Sequence, residues 1–229
     1  MNNATSRSIA PASGRLGILT PGMGAVATTA YAGVLAARKG LTKPIGSLTQ
    51  LAHIRLGERG ENRNPLIKDF VPLASLDDVV FGGWDPIPDD ALTAARKAGV
   101  LSEADLAPIA EELAAIVPMA AVFDRRWVSK LDGTNVKTGE TKWDLAQQLM
   151  ADIDDFAAAN KCDRVVIVWC GSTEAYQEPS EVHESVDAFE AGLRNNDTNI
   201  SPSQVYAYAA LSKGVPYANG APNLSVDLP

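Results

Sequence analysis

The chain is poor in the residue types that build metal sites and disulfide frameworks. Only two cysteines and two histidines occur among its 229 residues. Neither His53 nor His183 has a second histidine or a cysteine at the spacing of metal ligands. We interpret both as structural or surface residues and predict no metal site. Cys162 and Cys170 form no C-x-x-C pair, and buried free thiols in a reducing compartment are favoured over a disulfide.

An excess of basic charge and a long apolar run are also missing. The 28 acidic residues outnumber the 20 basic ones and leave a formal net charge of −8, which argues against nucleic acid and anionic membranes as partners. No run approaches the ~18 apolar residues of a membrane span, and residues 1–14 lack the apolar core of a signal peptide. We expect a cytoplasmic protein in which residues 1–14 form a flexible tail.

The sequence has no G-x-S-x-G, H-E-x-x-H or P-loop pattern. It does contain short Val/Ile-rich runs that alternate with helical patterns, which is typical of α/β folds. With 46% hydrophobic residues, the chain can bury a sizeable core. We predict one Rossmann-like, doubly wound parallel sheet over residues 15–229, incomplete at its C-terminal end. The predicted strands are Leu16–Thr20, Leu48–Leu56, Asp78–Gly82, Arg164–Trp169 and Val215–Ala218.

Capping signals and apolar spacing place three helices between these strands. Ser102 and Asp105 resemble a capping box, Pro202 follows the candidate N-cap Ser201, and apolar residues recur at helical spacing between Leu145 and Phe156. The predicted helices run from Ser102 to Val117, from Trp143 to Ala159 and from Ser201 to Gly214.

The most informative segment is Leu16–Gly40, where an apolar run leads into a glycine turn and an alanine-rich amphipathic stretch. Gly22, Gly24 and Ala27 have the G-x-G-x-x-A spacing of a dinucleotide-binding turn. Gly22 permits a tight turn, Gly24 leaves room for a pyrophosphate, and Ala27 lets the helix lie close to the strand. A pyrophosphate there would meet the free amides and the positive dipole of a helix that starts near Ala25.

Polar groups follow two other predicted strands. Ligands of open parallel sheets bind at the carboxyl ends of the strands, so Asp85 could accept from a ribose or adenine, and Ser172 and Thr173 could donate. Alternatively, Asp85 starts a turn and Ser172–Thr173 cap a helix. The acidic residue expected about 20 positions after the glycines is not evident, because Lys43 and Pro44 occupy that region. Either Asp85 takes its role from the next strand, or the chain holds the ribose differently.

Five blocks of sequence occur in the order and approximate spacing of the inositol-3-phosphate synthase family. They are Gly22–Gly24, Gly46–Gln50 (GSLTQ), Val79–Asp85 (VVFGGWD), Trp169–Glu174 (WCGSTE) and Val215–Asn223 (VPYANGAPN). The GSLTQ, FGGWD and VPYxNGxPN blocks are more specific than the glycine turn. Over Arg15–Pro229, the chain resembles the N-terminal half of that family.

The resemblance implies a tightly held, recycled NAD and a homo-oligomer, a tetramer in the family. It implies an enzyme that oxidises D-glucose 6-phosphate at C5, enolises it, closes it by an intramolecular aldol step and reduces it to 1D-myo-inositol 3-phosphate. By position, Gly24 to Ala27 would bind the pyrophosphate, Asp85 the adenosine side, and Cys170 to Thr173 the nicotinamide side. The full set of cofactor-binding residues is Gly22, Gly24, Ala25, Val26, Ala27, Asp85, Cys170, Gly171, Ser172, Thr173, Gly220 and Ala221.

Two departures from the family pattern matter. Where the family more often has Gly-Asn-Asn-Gly, this chain has Ala25–Thr28, so backbone contacts would replace those of amide side chains. The family's phosphate site and proton-transferring lysines lie in a domain after the NGxPN strand, whereas the chain ends at Pro229, so we assign no catalytic residue. We expect a fragment or truncated gene product that is inactive alone. The alternatives are a stand-alone NAD-binding module or an unrelated dehydrogenase fragment.

Overall fold

Four parallel strands form the centre of the computed structural model, which describes residues 12–227. They are β1 (Arg15–Pro21), β2 (Val79–Trp84), β3 (Cys162–Trp169) and β4 (Tyr217–Asn219). Their order is β2-β1-β3-β4, and every pair is parallel. The chain places β2 on one side of β1 and β3 on the other, so the strand order reverses between β1 and β3. This confirms the predicted Rossmann-like α/β fold. Of the expected tail, residues 1–11 lie outside the described residues.

Helices connect the strands and flank the sheet. The α-helices are α1 (Ala25–Arg38), α2 (Leu48–Leu51), α3 (Ile67–Phe70), α4 (Ala91–Ala98), α5 (Glu103–Leu106), α6 (Ala110–Ala114), α7 (Lys142–Asn160), α8 (Val186–Arg194) and α9 (Pro202–Ser212). Short 3₁₀ turns span Arg59–Glu61, Leu76–Asp78, Ala107–Ile109 and Glu181–His183. Between residues 12 and 227, no helix is both long and apolar enough to cross a membrane.

The sheet buries one apolar cluster on each face. Leu19, Trp84 and Ile167 pack with α7 and α9 in the larger cluster. Phe81 packs with α1, α4 and α6 in the smaller one. Since successive side chains of a strand point to opposite faces, Phe81 and Trp84 of the same strand reach different clusters. The helices therefore cover both faces, as in a doubly wound sheet.

The predicted strand Leu48–Leu56 is wrong. Its first residues form α2, and His53 makes only an isolated antiparallel bridge with Leu66. The main-chain amide of Ile54 donates to the Pro65 carbonyl oxygen at 3.0 Å, so the segment is partly extended but pairs within residues 39–78 and not with the sheet. These residues form a long excursion between α1 and β2.

Two of the three predicted helices are confirmed, and the third is divided. Capping boxes begin α7 at Thr141 and α9 at Ser201. The box at Ser102 also forms, but the helix predicted to run to Val117 is interrupted by a 3₁₀ turn that contains Pro108. Proline has no N–H and its ring clashes with the preceding turn, so α5 ends before it and α6 begins after it.

Candidate functional site

Gly22 brings the carboxyl ends of three strands together. It adopts a left-handed φ of +88°, and its amide donates to the Trp84 carbonyl oxygen at 2.8 Å. A Cβ at this position would lie 2.5 Å from Gly171 N and 2.9 Å from the Cys170 carbonyl carbon. The turn after β1 thus requires glycine both for its backbone conformation and for close contact with the chain that leaves β3.

Gly24 leaves the start of α1 open. It is the N-cap residue and provides no side-chain cap, and the first turn contains no acidic residue. A Cβ on Gly24 would meet no atom within 4 Å, and the next residues, Ala25 and Val26, are exposed. The first-turn amides therefore have no side-chain cap that would compete with an anion. Ala27 is 1% exposed and packs in the smaller cluster, which brings the helix close to the sheet.

A cavity of about 440 Å³ lies at these strand ends, and we call it the strand-end cleft. Nine residues expected to bind the cofactor line it: Gly22, Gly24, Ala25, Val26, Asp85, Cys170, Gly171, Ser172 and Thr173. Three others do not line it. Ala27 lies on the buried face of α1, while Gly220 and Ala221 follow β4. The Gly220 amide donates to the Trp169 carbonyl oxygen at 3.2 Å, and Ala221 packs against the larger cluster.

Asp85 joins two of the loops that form the cleft. One carboxylate oxygen accepts from the Met23 amide at 2.7 Å and the other from the Ile87 amide at 2.9 Å. Burial raises the pKa of this carboxyl, although both amide donors act in the opposite direction. The bond to Ile87 confirms the turn considered for Asp85. Because β2 adjoins β1, Asp85 also follows the strand after which Rossmann folds carry their ribose-binding acid.

The loop after β3 forms the opposite wall of the cleft. The Cys170 amide donates to the Pro21 carbonyl oxygen at 2.9 Å. Among the described residues, none accepts a hydrogen bond from the main-chain amides of Gly171, Ser172 or Thr173. The alternative prediction that Ser172 and Thr173 cap a helix is wrong, since residues 171–180 contain no helix. Their amides are thus available at the edge of the sheet.

Aromatic side chains form the floor of the cleft. Trp84 and Trp169 both stack edge-on against Tyr206, with ring centroids 5.3 Å and 5.7 Å apart. The Tyr206 hydroxyl accepts from the Val122 amide at 2.9 Å, and the Trp84 indole donates to Asp152 at 2.6 Å. The polar groups of Trp84 and Tyr206 in this buried floor are therefore hydrogen-bonded, whereas the buried Trp169 indole nitrogen has no acceptor among the described residues.

Sequence reasoning missed the wall formed by residues 118–141. Ala121, Val122, Phe123, Val128 and Leu131 line the cleft there, yet this stretch is mostly irregular and has no motif. Long-range contacts hold it in place, and no periodic signal in the sequence reveals them. The wall is apolar, so it would exclude water from the ligand.

The titratable groups that line the cleft are Asp85, Cys170, Glu174 and Tyr206. Burial raises the pKa of the Cys170 thiol and of the Glu174 carboxyl, and that of Tyr206 well above its usual value. No lysine, arginine or histidine lines the cleft in the described chain. Residues 12–227 also contain no group of three or more His, Cys, Asp or Glu residues placed to hold a metal. The arrangement combines apolar walls with main-chain amides that have no acceptor in the described part of the chain, which is suited to binding a ligand.

Comparison with known proteins covers nearly the whole chain. A family model for an NAD-binding domain, described as myo-inositol-1-phosphate synthase, matches residues 16–229. Inositol-3-phosphate synthase 1 of Bacteroides thetaiotaomicron is 53% identical over 223 residues, which are 96% of this chain and 51% of that protein. The Mesembryanthemum crystallinum inositol-3-phosphate synthase is 35% identical, with 91% and 44% covered. The chain spans about half the length of these curated relatives.

Solved structures agree with this result. The inositol-3-phosphate synthase of Caenorhabditis elegans superposes with a TM-score of 0.84 at 25% identity, covering 93% of this chain and 45% of that one. A myo-inositol-1-phosphate synthase-related protein from Thermotoga maritima shares the fold, with a TM-score of 0.59 at 19% identity. These matches do not favour a fragment of an unrelated dehydrogenase. The chain belongs to the inositol-3-phosphate synthase family.

Proposed function

We propose that this chain is the NAD-binding half of an inositol-3-phosphate synthase and that NAD binds in the strand-end cleft. The observation that carries the proposal is the uncapped first turn of α1 beside Gly24, at the reversal of strand order. A Cβ on Gly24 would stand in open space, so the main chain is accessible to a pyrophosphate. NAD would bind here without side-chain contacts from Ala25–Thr28, the residues that replace the family's Gly-Asn-Asn-Gly run.

Different residues of the cleft would contact different parts of the cofactor. The amides of Ala25, Val26 and Ala27 would hold the pyrophosphate at the helix N-terminus. Asp85 would lie toward the adenosine ribose, and the loop from Cys170 to Thr173 toward the nicotinamide. For Gly220 and Ala221, which do not line the cleft, the proposed role rests on the family resemblance alone.

The proposed reaction is conversion of D-glucose 6-phosphate to 1D-myo-inositol 3-phosphate by oxidation, enolisation, intramolecular aldol closure and re-reduction. A bound NAD would supply the redox chemistry at both ends of this sequence. The part of this chain is to bind and orient the cofactor and to exclude water with the apolar walls at Val122, Phe123 and Leu131.

Calorimetric titration of NAD into the Gly24→Val variant tests the cofactor site. A branched side chain there would occupy the space that the pyrophosphate needs, so we expect NAD affinity to fall at least about 100-fold, or ~2.7 kcal/mol. The matched control is Gly33→Val, because Gly33 lies on the same helix and also faces open space. Unchanged affinity in Gly24→Val, or an equal loss in Gly33→Val, would contradict the proposal.

NAD is proposed to be preferred over NADP because Asp85 would repel a 2′-phosphate. The measured ratio of the two affinities should favour NAD by about tenfold or more. Asp85→Asn should bring that ratio toward one, even though the loss of a carboxylate oxygen that accepts from Met23 or Ile87 weakens binding of both nucleotides. Equal affinities in the wild-type protein would rule out this role for Asp85.

The purified 229-residue chain is proposed to lack synthase turnover. Proton abstraction and aldol closure need positioned acid and base groups, and the described cleft presents no lysine, arginine or histidine. Product formation from D-glucose 6-phosphate would be followed with NAD present, with the Bacteroides synthase as positive control. Turnover in a preparation shown to be free of host enzyme would overturn this proposal.

Other properties follow from the same proposal. We propose that the enzyme acts in the cytoplasm as a homo-tetramer, without nucleic acid or membrane as partner. Sedimentation of the native protein and cell fractionation would test the assembly and its location.

A further inference from the structure

Glu174 lies at the junction of the loop after β3, the start of α9 and the segment after β4, of which the first two line the strand-end cleft. Glu174 is buried, with 8% of its surface exposed. One carboxylate oxygen accepts from the Ser203 amide at 2.8 Å, and the other from the Ser203 hydroxyl at 2.6 Å. Ser203 is in the first turn of α9, where a carboxylate interacts favourably with free amides and the helix dipole. Glu174 therefore ties the loop after β3 to the start of α9.

A second tie runs from Glu174 to the segment after β4. Its main-chain amide donates to the Asn223 side-chain oxygen at 2.9 Å. Ser225 extends the network, because its hydroxyl donates to the Ser203 hydroxyl at 2.6 Å. Asn223, Ser203 and Ser225 are all buried. The loop after β3, α9 and the segment after β4 are thus held by one connected set of hydrogen bonds.

These ties fix a loop that is otherwise held by its close contact with Gly22 and by few hydrogen bonds. Between Cys170, whose amide is bound to Pro21, and Glu174, the amides of residues 171–173 have no acceptor among the described residues. The loop is irregular, so its course across the cleft depends on the two anchored ends. Glu174 also lines both the cleft and a neighbouring cavity of about 210 Å³, and its loss would open the wall between them.

We infer that Glu174 is a positioning residue that holds the amides of Gly171, Ser172 and Thr173 in place for the cofactor. Both of its carboxylate oxygens are already bound to Ser203, so it acts through the loop and not by touching the ligand. This inference rests on the proposed function, because it assigns a role in NAD binding to a residue outside the expected cofactor contacts.

NAD affinity of three variants tests the inference. Glu174→Ala removes the acceptor for two buried donors, and we expect NAD affinity to fall about tenfold. Glu174→Gln should restore affinity to within about threefold, because its amide can accept from the Ser203 amide and donate to the Ser203 hydroxyl. Asp105→Ala removes a capping-box partner on α5, away from the cleft, and should leave NAD affinity unchanged.

A second measurement keeps the inference separate from the cofactor proposal. Hydrogen exchange of the ligand-free chain should speed up at the main-chain amides of residue 174 and Ser203 in Glu174→Ala, because both amides are hydrogen-bonded within this network in the wild type, and it should return toward the wild-type rate in Glu174→Gln. If the wild-type protein binds no NAD, the proposed function fails, while this exchange pattern still tests the tether. Wild-type exchange at these amides in Glu174→Ala, or wild-type NAD affinity, would overturn the inference. If that variant does not fold, Asn223→Ala, which removes only the second tie, replaces it in both measurements.

Discussion

Replacing Gly22 by alanine would test whether the turn after β1 is a steric junction of the sheet. The residue has a φ of +88°, which an L-residue with a Cβ rarely adopts. The added Cβ would also lie 2.5 Å from Gly171 N. Its nearest neighbours are main-chain atoms of the loop after β3, which cannot rotate away as a flexible side chain can.

The expected cost combines these two effects. Left-handed backbone costs a non-glycine residue ~1–2 kcal/mol, and forced contact in a packed region costs ~1–3 kcal/mol. Together they predict that the free energy of unfolding falls by about 2–5 kcal/mol, out of the ~5–15 kcal/mol typical of a domain. A loss of about 3 kcal/mol would lower the Tm of a chain of this size by ~6–12 °C.

Urea denaturation followed by circular dichroism measures this loss. Gly24→Ala is the matched control, because Gly24 has a φ of −82° and open space at its Cβ position. At an N-cap, that change costs about 1 kcal/mol or less, and its effect should appear in NAD affinity. Equal denaturation midpoints for Gly22→Ala and the wild type would refute the steric reasoning.

Two further changes probe buried charge. Asp152→Ala removes the carboxylate that accepts from the Trp84 indole and pairs at 2.8 Å with the ammonium of Lys137, whose side chain is 9% exposed. Leaving that cation unpaired should cost about 3–5 kcal/mol in urea denaturation, and the added change Lys137→Met should recover much of it. For Glu174, burial raises the folded-state pKa above the ordinary 4.5. Its stabilising contribution is therefore complete below pH 4.5 and is lost as pH rises through the folded-state value. Urea denaturation measured from below pH 4.5 upward should show the wild type losing stability relative to Glu174→Gln as the pH rises. A difference in free energy of unfolding between the two proteins that does not change with pH would contradict this.

Local patterns in the sequence predicted the elements that depend on local interactions. The glycine turn, the strands with buried runs and the capping signals at Ser102 and Ser201 depend on neighbouring residues, and they form as such neighbours predict. The strand predicted over Leu48–Leu56 is wrong because two-residue alternation indicates an extended backbone but does not identify the segment with which it pairs. The Leu56 amide is indeed paired, but to Arg63 at 2.9 Å and not to the sheet.

The candidate site was less accessible to sequence reasoning because its walls come from distant parts of the chain. Asp85 was recognised as a polar group at a strand end, yet its bond to the Met23 amide depends on how the two loops meet. The wall at Val122 and Phe123 has no motif, and its position depends on contacts such as that between Val122 and Tyr206.

The central place of β1 in the sheet has a consequence for the order of assembly during synthesis. Its partner β2 ends at Trp84, but its other partner β3 begins only at Cys162. Pairing over such a separation carries a large loop-closure cost and makes folding slow. The Gly22 turn gains its contact with Gly171 only after β3 has left the ribosome. An emerging chain must therefore keep the unpaired edge of β1 from aggregating until β3 arrives.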